Sequence, residues 1–147
     1  MKTNVPARIF LVEDHPQVRR ELVALLERSD GFSVCGEAED AETAFAQITQ
    51  TLPDLVLLDL SLKNSNGFEL LSNLRRLQPD LPVLVLSLHE ASLFAERSLQ
   101  AGAKGYLTKQ AAVSQLPVAM RALLTGQMFP GNVRSMTTPS APSQQAV

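Results

Sequence analysis

The sequence predicts an α/β domain built as a single doubly wound, five-stranded parallel sheet with five helices. Short apolar segments, bounded by polar or turn-forming residues, alternate with stretches that repeat apolar residues at helical spacing. Five such alternations call for parallel strands joined by right-handed helical crossovers, with helices on both faces of the sheet. The predicted strands cover residues 7–13, 32–37, 54–59, 82–88 and 105–108.

The third predicted strand shows the pattern of a buried strand most clearly. An unbroken run of Leu and Val at 55–58 is preceded by Pro53 and followed by the turn-forming residues Asn64 and Gly67. An apolar run without alternation is typical of a strand that is covered on both faces. The strand nevertheless ends in a carboxylate, Asp59, and packing alone does not explain an acid at that position.

Four of the five predicted helices carry their apolar residues on one face. The apolar positions recur at helical spacing within residues 18–26, 41–48, 70–77 and 113–123. The fourth helix in chain order, predicted around residues 93–99, has the least regular pattern. Pro117 lies inside the fifth helix, so we expect that helix either to start late, near Ser114, or to be distorted there.

Length and composition are those of one globular domain. The chain has 147 residues, of which 45% are hydrophobic. Its net charge of -2 comes from 13 basic and 15 acidic residues spread along the chain, which disfavours direct binding to nucleic acid or to a membrane surface. Neither a signal peptide nor a membrane-spanning segment is expected. A single cysteine, Cys35, suits a reducing cytoplasm, where we expect it to be a small buried residue.

The C-terminal residues differ from the rest of the chain in composition. From residue 137 the sequence is TTPSAPSQQAV, which contains no charged residue and few apolar ones. Such a segment cannot bury enough apolar surface to offset the entropy that ordering costs. We therefore expect a domain at residues 5–127 and a flexible linker or tail at residues 128–147, with a short arm docked on the domain as the alternative.

Acidic side chains follow two of the predicted strands. Glu13 and Asp14 come at the end of the first strand, and Asp59 ends the third. In an open parallel sheet these ends lie along one edge, beside the switch point where ligands bind. Carboxylates held close together raise one another's pKa unless a cation joins them, and Mg2+ suits a set of oxygen ligands. Glu13 and Asp14 could also cap the helix that starts near Pro16.

Two further polar side chains are predicted at the same edge. Ser87 ends the fourth strand, and Lys109 follows the fifth. A carboxylate nucleophile, a metal ion, a hydroxyl and an ammonium together suit a phosphoryl group, because the cations neutralise its oxygens while Asp59 attacks phosphorus. Each residue alone would be an ordinary turn or surface residue, so the prediction depends on the whole set.

Four motifs in this order resemble the receiver domain of two-component response regulators. They are LVEDHP at 11–16, LVLLDL at 55–60 with Gly67, LSL at 86–88 and GAKGYLTK at 102–109. The first and the last look most like the LuxR-type (NarL-like) subfamily. The resemblance covers about residues 7–126 and implies a flavodoxin-like sheet with the strand order 2-1-3-4-5.

The resemblance also implies a role for each matching residue. Asp59 would accept a phosphoryl group from a sensor histidine kinase or a phosphotransfer protein, and Lys109 would pair with the phosphoryl oxygens. Ser87 would hydrogen-bond the attached group, and Tyr106 would be the aromatic residue whose rotamer follows that movement. The chain would therefore be a signalling switch and not an enzyme in the usual sense.

The implied cofactor is Mg2+. Asp14 would bind it directly, Glu13 would assist, often through water, and Asp59 and the main-chain carbonyl of Ser61 would complete the protein ligands. LuxR-type receivers precede a helix-turn-helix DNA-binding domain, so the expected output is regulation of transcription through a domain that this chain does not contain. The resemblance leaves homodimerisation on phosphorylation open.

Three other classes of protein are less well supported. An interaction module that works independently of phosphorylation would keep the fold but would not need the complete set of site residues. A phosphatase or mutase of the haloacid-dehalogenase kind needs a second acid two residues after the nucleophile, where Ser61 stands. A nucleotide-binding α/β domain is disfavoured because neither G-x-G-x-x-G nor G-x-x-x-x-G-K-[ST] occurs in the sequence.

Overall fold

The computed structural model describes residues 5–62, 65–88 and 92–130, with only the backbone described at 92–94. Among the described helices, none combines the length and the apolarity needed to cross a membrane. Strands and helices alternate as β1 (Ala7–Val12), α1 (Pro16–Arg28), β2 (Phe32–Ala38), α2 (Ala41–Thr51), β3 (Leu55–Asp59), α3 (Gly67–Leu77), β4 (Val83–Ser87), α4 (Ser92–Ala101), β5 (Gly105–Thr108) and α5 (Lys109–Leu124).

The five strands form one parallel sheet in the order β2-β1-β3-β4-β5. Apolar side chains alternate between its two faces. Val56 and Leu58 pack with residues of α2, α3 and α4, whereas Leu55 and Leu57 pack with residues of α1 and α5. The predicted doubly wound fold and its strand order are confirmed, and the central strand β3 delivers Asp59 to a buried edge of the sheet.

Helix α4 forms although its apolar pattern is weak. Two of its buried positions carry small residues, Ala95 at 2% exposure and Ser98 at 0%. Small residues allow a helix to pack closely but give little contrast in hydropathy between its faces. For this reason the sequence indicates the helix around residues 93–99 only weakly.

Helix α5 begins at Lys109 and continues through Pro117 to Leu124. The hydroxyl of Thr108 accepts a hydrogen bond from the Ala111 N–H at 3.0 Å and so caps the first turn. The late start that was one of the two expectations, near Ser114, is therefore wrong. The early start places Lys109 directly after β5.

The described chain continues past α5 and covers the outer edge of β5. The Tyr106 N–H donates to the Phe129 carbonyl at 2.9 Å, and the Phe129 N–H donates to the Lys104 carbonyl at 3.1 Å. Gly105 makes room for this segment, since a Cβ there would lie only 3.1 Å from the Phe129 carbonyl oxygen. The first residues of the segment predicted to be flexible, up to residue 130, are therefore docked on the domain, as in the alternative of a short docked arm. Residues 131–147 lie outside the described residues, so the linker there stays a prediction.

Cys35 lies on β2, at the other edge of the sheet. Ile9 is paired with Val34 and Phe10 with Gly36, so Cys35 is the extra residue of a bulge in β2. The bulge turns its side chain partly out of the core. Cys35 is a free, half-buried thiol, whereas the sequence led us to expect a buried one.

Candidate functional site

Four charged side chains meet at the carboxyl ends of β1, β3 and β5. Glu13 and Asp14 follow β1, Asp59 is the last residue of β3, and Lys109 is the first residue of α5. The Lys109 ammonium donates hydrogen bonds to Asp59 Oδ2 at 3.1 Å and to Glu13 Oε2 at 3.3 Å. The topology of the sheet thus brings together side chains that are far apart in the sequence.

Three of these residues form a carboxylate cluster that could hold a metal ion. Glu13, Asp14 and Asp59 each offer one oxygen, and these oxygens all lie within 4.8 Å of one another. Glu13 and Asp59 are buried, at 0% and 1% exposure. Buried carboxylates require compensating charge. Because one ammonium cannot balance three carboxylates, the cluster suits a divalent cation.

The orientation of Glu13 also favours a cation. Its Oε2 accepts a hydrogen bond from the His15 N–H at 3.2 Å as well as the one from Lys109. Its Oε1 is buried and makes no hydrogen bond to the described residues, and Lys109 Nζ, 3.1 Å away, is its ionic partner. Because Lys109 is shared with Asp59, it compensates the charge of this buried oxygen only in part. A hard cation would supply the missing positive charge.

Burial and neighbouring charges shift the proton affinity of two groups at the site. Burial, followed by the charge of Asp59 and a hydrogen bond with it, raises the pKa of Glu13 from 4.5 to about 7, against the opposing effects of Lys109 and the His15 N–H. Burial lowers the pKa of the Lys109 ammonium, but the charges of Asp59 and Glu13 outweigh it, so that this pKa is raised overall. Lys109 is therefore a permanent cation at neutral pH.

Without a metal ion, we expect Glu13 to make the protein less stable as the pH rises from about 5 to about 8. A group whose pKa is higher in the folded state contributes stability below its unfolded pKa and loses it as the pH rises through its folded pKa. For a rise from 4.5 to about 7, this contribution is at most about 3 kcal/mol. In urea denaturation with EDTA, Glu13→Gln should flatten this part of the profile and raise the free energy of unfolding at the alkaline end.

The matched control is Glu27→Gln, which removes an exposed charge from α1. It should leave the pH profile unchanged. Identical pH slopes for the wild type and Glu13→Gln would contradict the expectation.

The loop after β3 turns back onto Asp59. Asp59 Oδ1 accepts a hydrogen bond from the Ser61 N–H at 2.9 Å. Gly67 allows α3 to start beside this loop, because a Cβ there would lie 3.3 Å from the Leu60 Cα and 3.4 Å from the Asp59 carbonyl oxygen. Ser61, whose carbonyl is predicted as a metal ligand, therefore lies in a tight turn next to Asp59.

Ser87 and Tyr106 lie on the strands beyond β3. Asp59 pairs with Leu86, so Ser87 is one residue further toward the carboxyl edge, where it pairs with Thr108. Ser87 is 1% exposed, and Tyr106 is 6% exposed and belongs to the hydrophobic core on the face of the sheet that α4 covers. The contacts of Ser87 and Tyr106 with a phosphoryl group stay predictions.

Two residues that shape the acidic loop were not predicted. His15 caps α1, with its Nδ1 accepting the Val18 N–H at 3.3 Å, so His15 takes the position considered for Glu13 and Asp14. Arg19 donates from Nη1 to the Glu13 carbonyl at 2.7 Å. In the sequence, His15 could have been found as a polar residue directly before a proline that starts a helix. Arg19 could have been found as a basic residue one helical turn after His15.

The fold and the acidic site define the class to which this protein belongs. A family model described as the response regulator receiver domain matches residues 9–121. The chain therefore belongs to the response regulator receiver domain family, and the resemblance found in the sequence is confirmed.

Individual relatives place the chain more narrowly. It is 34% identical to the response regulator GacA from Pseudomonas viridiflava over 122 aligned residues. The aligned part is 83% of this chain and 57% of GacA. A crystal structure of a LuxR family two-component response regulator from Aurantimonas sp. SI85-9A1 matches with 38% identity and a TM-score of 0.80, covering 84% of this chain and 88% of that one. The LuxR-type assignment is confirmed.

A third similar protein is the isolated REC domain of RcsB from Salmonella enterica serovar Typhimurium, solved in the presence of the phosphomimetic BeF3-. It matches with 27% identity and a TM-score of 0.76, covering 84% of this chain and 92% of that one. The present chain spans less than two thirds of the length of the first curated relatives that it matches.

Proposed function

We propose that this receiver domain is a magnesium-dependent phosphorylation switch whose acceptor is Asp59. One observation carries the proposal. The Lys109 ammonium lies 3.1 Å from the buried Asp59 carboxylate and 3.1 Å from Glu13, in a cluster where carboxylates outnumber the cations. An aspartate oxygen is therefore held beside a fixed positive charge that the oxygens of an incoming phosphoryl group can share.

Asp14, Glu13, Asp59 and the Ser61 carbonyl would hold the Mg2+, which would neutralise charge on the phosphoryl oxygens during transfer. The carboxylate oxygens within 4.8 Å of one another support this assignment. The buried Oε1 of Glu13, which makes no hydrogen bond to the described residues and shares Lys109 with Asp59, supports it as well.

In the proposed reaction, a carboxylate oxygen of Asp59 forms a bond to phosphorus while the bond from phosphorus to the donor's imidazole nitrogen breaks. The electron pair of that bond returns to the imidazole, which is protonated at its other nitrogen and leaves as the neutral ring. Lys109 stays protonated, because the charges of Asp59 and Glu13 raise its pKa, and it pairs with a phosphoryl oxygen. The donor would be a sensor histidine kinase or a phosphotransfer protein.

The acyl phosphate would then shift an equilibrium between two conformations that exist before phosphorylation. Ser87 would hydrogen-bond the phosphoryl group, Tyr106 would follow that movement, and the face formed by α4, β5 and α5 would change its affinity for a partner. The position of Ser87, one residue beyond the partner of Asp59 in the sheet, supports this role.

We also propose a cytoplasmic location, which the single cysteine suits, and an output through transcription, since LuxR-type receivers precede a helix-turn-helix DNA-binding domain. Residues 5–127 would be the receiver, and residues 128–147, of which Phe129 docks on β5, would lead to a DNA-binding domain that this chain does not contain. Phosphorylation would favour a homodimer. The chain itself would be a switch without turnover of an external substrate.

Incubation with acetyl phosphate and Mg2+, followed by intact mass spectrometry, tests the proposal. The wild type should gain one phosphoryl group, and EDTA or Asp59→Asn should abolish the gain. Asp80→Asn is the matched control, because it removes an exposed carboxyl from the turn before β4, at the opposite end of the sheet. It should be phosphorylated like the wild type.

BeF3- provides a second probe, since it mimics an aspartyl phosphate and was used with the RcsB domain. It should shift the amide resonances of Ser87 and Tyr106 in the wild type but not in Asp59→Asn. A phosphoryl group gained equally by Asp59→Asn would remove Asp59 from its role. No response of the wild type to either reagent would favour the phosphorylation-independent interaction module.

A further inference from the structure

Arg19 makes three polar contacts around the first acidic loop. Its Nη1 donates to the Glu13 main-chain carbonyl at 2.7 Å, its Nε lies 3.3 Å from Glu37 Oε1, and its Nη2 lies 3.2 Å from Glu39 Oε2. The side chain is only 16% exposed, whereas Glu37 and Glu39 are 44% and 64% exposed. A planar guanidinium held on three sides has little rotational freedom.

These contacts close a ring between β1 and β2. The Glu13 N–H donates to the Ala38 carbonyl at 3.0 Å, and Ala38 lies between the two glutamates that hold Arg19. The main chain of Glu13 is therefore fixed through both its N–H and its carbonyl, and both connections lead to the end of β2. The Glu13 and Asp14 side chains leave the backbone at this fixed point.

We propose that Arg19 is a positioning residue for the cation site, holding the Glu13 peptide so that the Glu13 and Asp14 carboxylates converge with Asp59. The inference rests on the proposed function, because it concerns the binding of Mg2+ to those carboxylates. Groups that hold the ligands of a metal ion in place contribute to affinity without touching the ion.

Positioning and simple electrostatics predict opposite effects for the loss of Arg19. Removal of a positive charge from the neighbourhood of a cation site should strengthen cation binding through Coulomb attraction. Removal of a residue that fixes the ligands should weaken it. The charge of Arg19 is also opposed by Glu37 and Glu39, which reduces its long-range effect on the site.

The experiment measures Mg2+ affinity by isothermal titration calorimetry for the wild type, Arg19→Gln, Arg19→Lys and the control Arg20→Gln. Arg20 is the next residue of α1 and is exposed, so its substitution makes the same change in charge without the contacts. Arg19→Gln should bind Mg2+ roughly 10-fold more weakly. Arg19→Lys should also be weaker, because an ammonium cannot make the three-sided contact, and Arg20→Gln should bind like the wild type.

Hydrogen exchange of the Glu13 amide, followed by NMR in the metal-free protein, gives a second readout. Exchange should be faster in both Arg19 variants, while amides in the centre of β3 keep wild-type protection. At saturating Mg2+, the maximal phosphorylation by acetyl phosphate should return to the wild-type level, so that the defect lies in the Mg2+ requirement alone.

Unchanged or tighter Mg2+ binding by Arg19→Gln would overturn the inference and leave the proposed function intact. Absence of Mg2+ binding by the wild type would instead overturn the proposed function. If Arg19→Gln does not fold, Arg19→Lys tests the inference instead. Wild-type Mg2+ affinity in that variant would show that the three contacts of the guanidinium are not needed, and it would overturn the inference.

Discussion

Lys109→Met should slow phosphorylation by acetyl phosphate about 100-fold at saturating Mg2+, because the fixed cation beside Asp59 is lost. Removal of one preorganised donor to developing negative charge has an effect of this order. Mg2+ affinity should not fall, because the ammonium and the metal ion compete for the same carboxylates. Lys109 Nζ lies 3.1 Å from a carboxylate oxygen of Glu13 and 3.1 Å from one of Asp59. Initial rates from intact mass spectrometry and calorimetric titrations separate the two effects.

Lys104→Met is the control for this substitution. Lys104 is an exposed lysine at the other end of β5, so its loss changes the net charge equally without touching the acidic cluster. It should phosphorylate at the wild-type rate. A rate for Lys109→Met within a factor of about three of the wild type would mean that the ammonium does not stabilise the transferring group, because the effect of one donor is typically far larger.

Phe10→Ala should lower the free energy of unfolding by about 3–5 kcal/mol, the usual cost of removing a buried aromatic ring. Phe10 is 0% exposed, and Gly36 provides the space beside it, since a Cβ at Gly36 would lie 2.5 Å from the ring. A loss of this size is a large fraction of the stability of a typical domain. Urea denaturation in Mg2+ would measure it.

Phe68→Ala tests whether burial is the cause. Phe68 is half-buried on α3, with the guanidinium of Arg97 4.7 Å from its ring centre, and its truncation should cost about 1 kcal/mol. Equal losses for the two phenylalanines would show that the cavity left by Phe10 collapses. In that case the pairing of Phe10 with Gly36 would not be the source of its stabilising effect.

Periodicity and topology made most of the fold predictable. The uninterrupted apolar run of β3 indicated a central buried strand, and five alternations of strand and helix left a doubly wound sheet as the natural arrangement. Where the prediction was wrong or weak, local interactions outweighed the pattern or the pattern had little contrast. Capping by Thr108 starts α5 well before Pro117, and the small buried residues of α4 hide its inner face from a hydropathy pattern.

For the candidate site, the sequence predicted which residues take part and at which ends of the strands they lie. Rules for parallel sheets place Glu13, Asp14 and Asp59 along one edge, but they do not give the direction of an individual oxygen. The sharing of one ammonium, Lys109, between the buried oxygens of Glu13 and Asp59 is seen only in the structure. Arg19 escaped notice because its partners are a main-chain carbonyl and two acids on another strand, and only their spatial arrangement gives it a role.

The segment on the outer side of β5 has a consequence for self-association. Phe129 occupies the hydrogen-bonding groups of Lys104 and Tyr106, so a strand from another molecule could add there only by displacing it. A continuous sheet can grow from one molecule to the next only if both edge strands of each sheet are open. In the part of the chain that the structure describes, the other edge strand is β2, and the bulge at Cys35 makes its hydrogen-bonding edge irregular. Filament formation by strand addition is thereby opposed at both sides of the molecule.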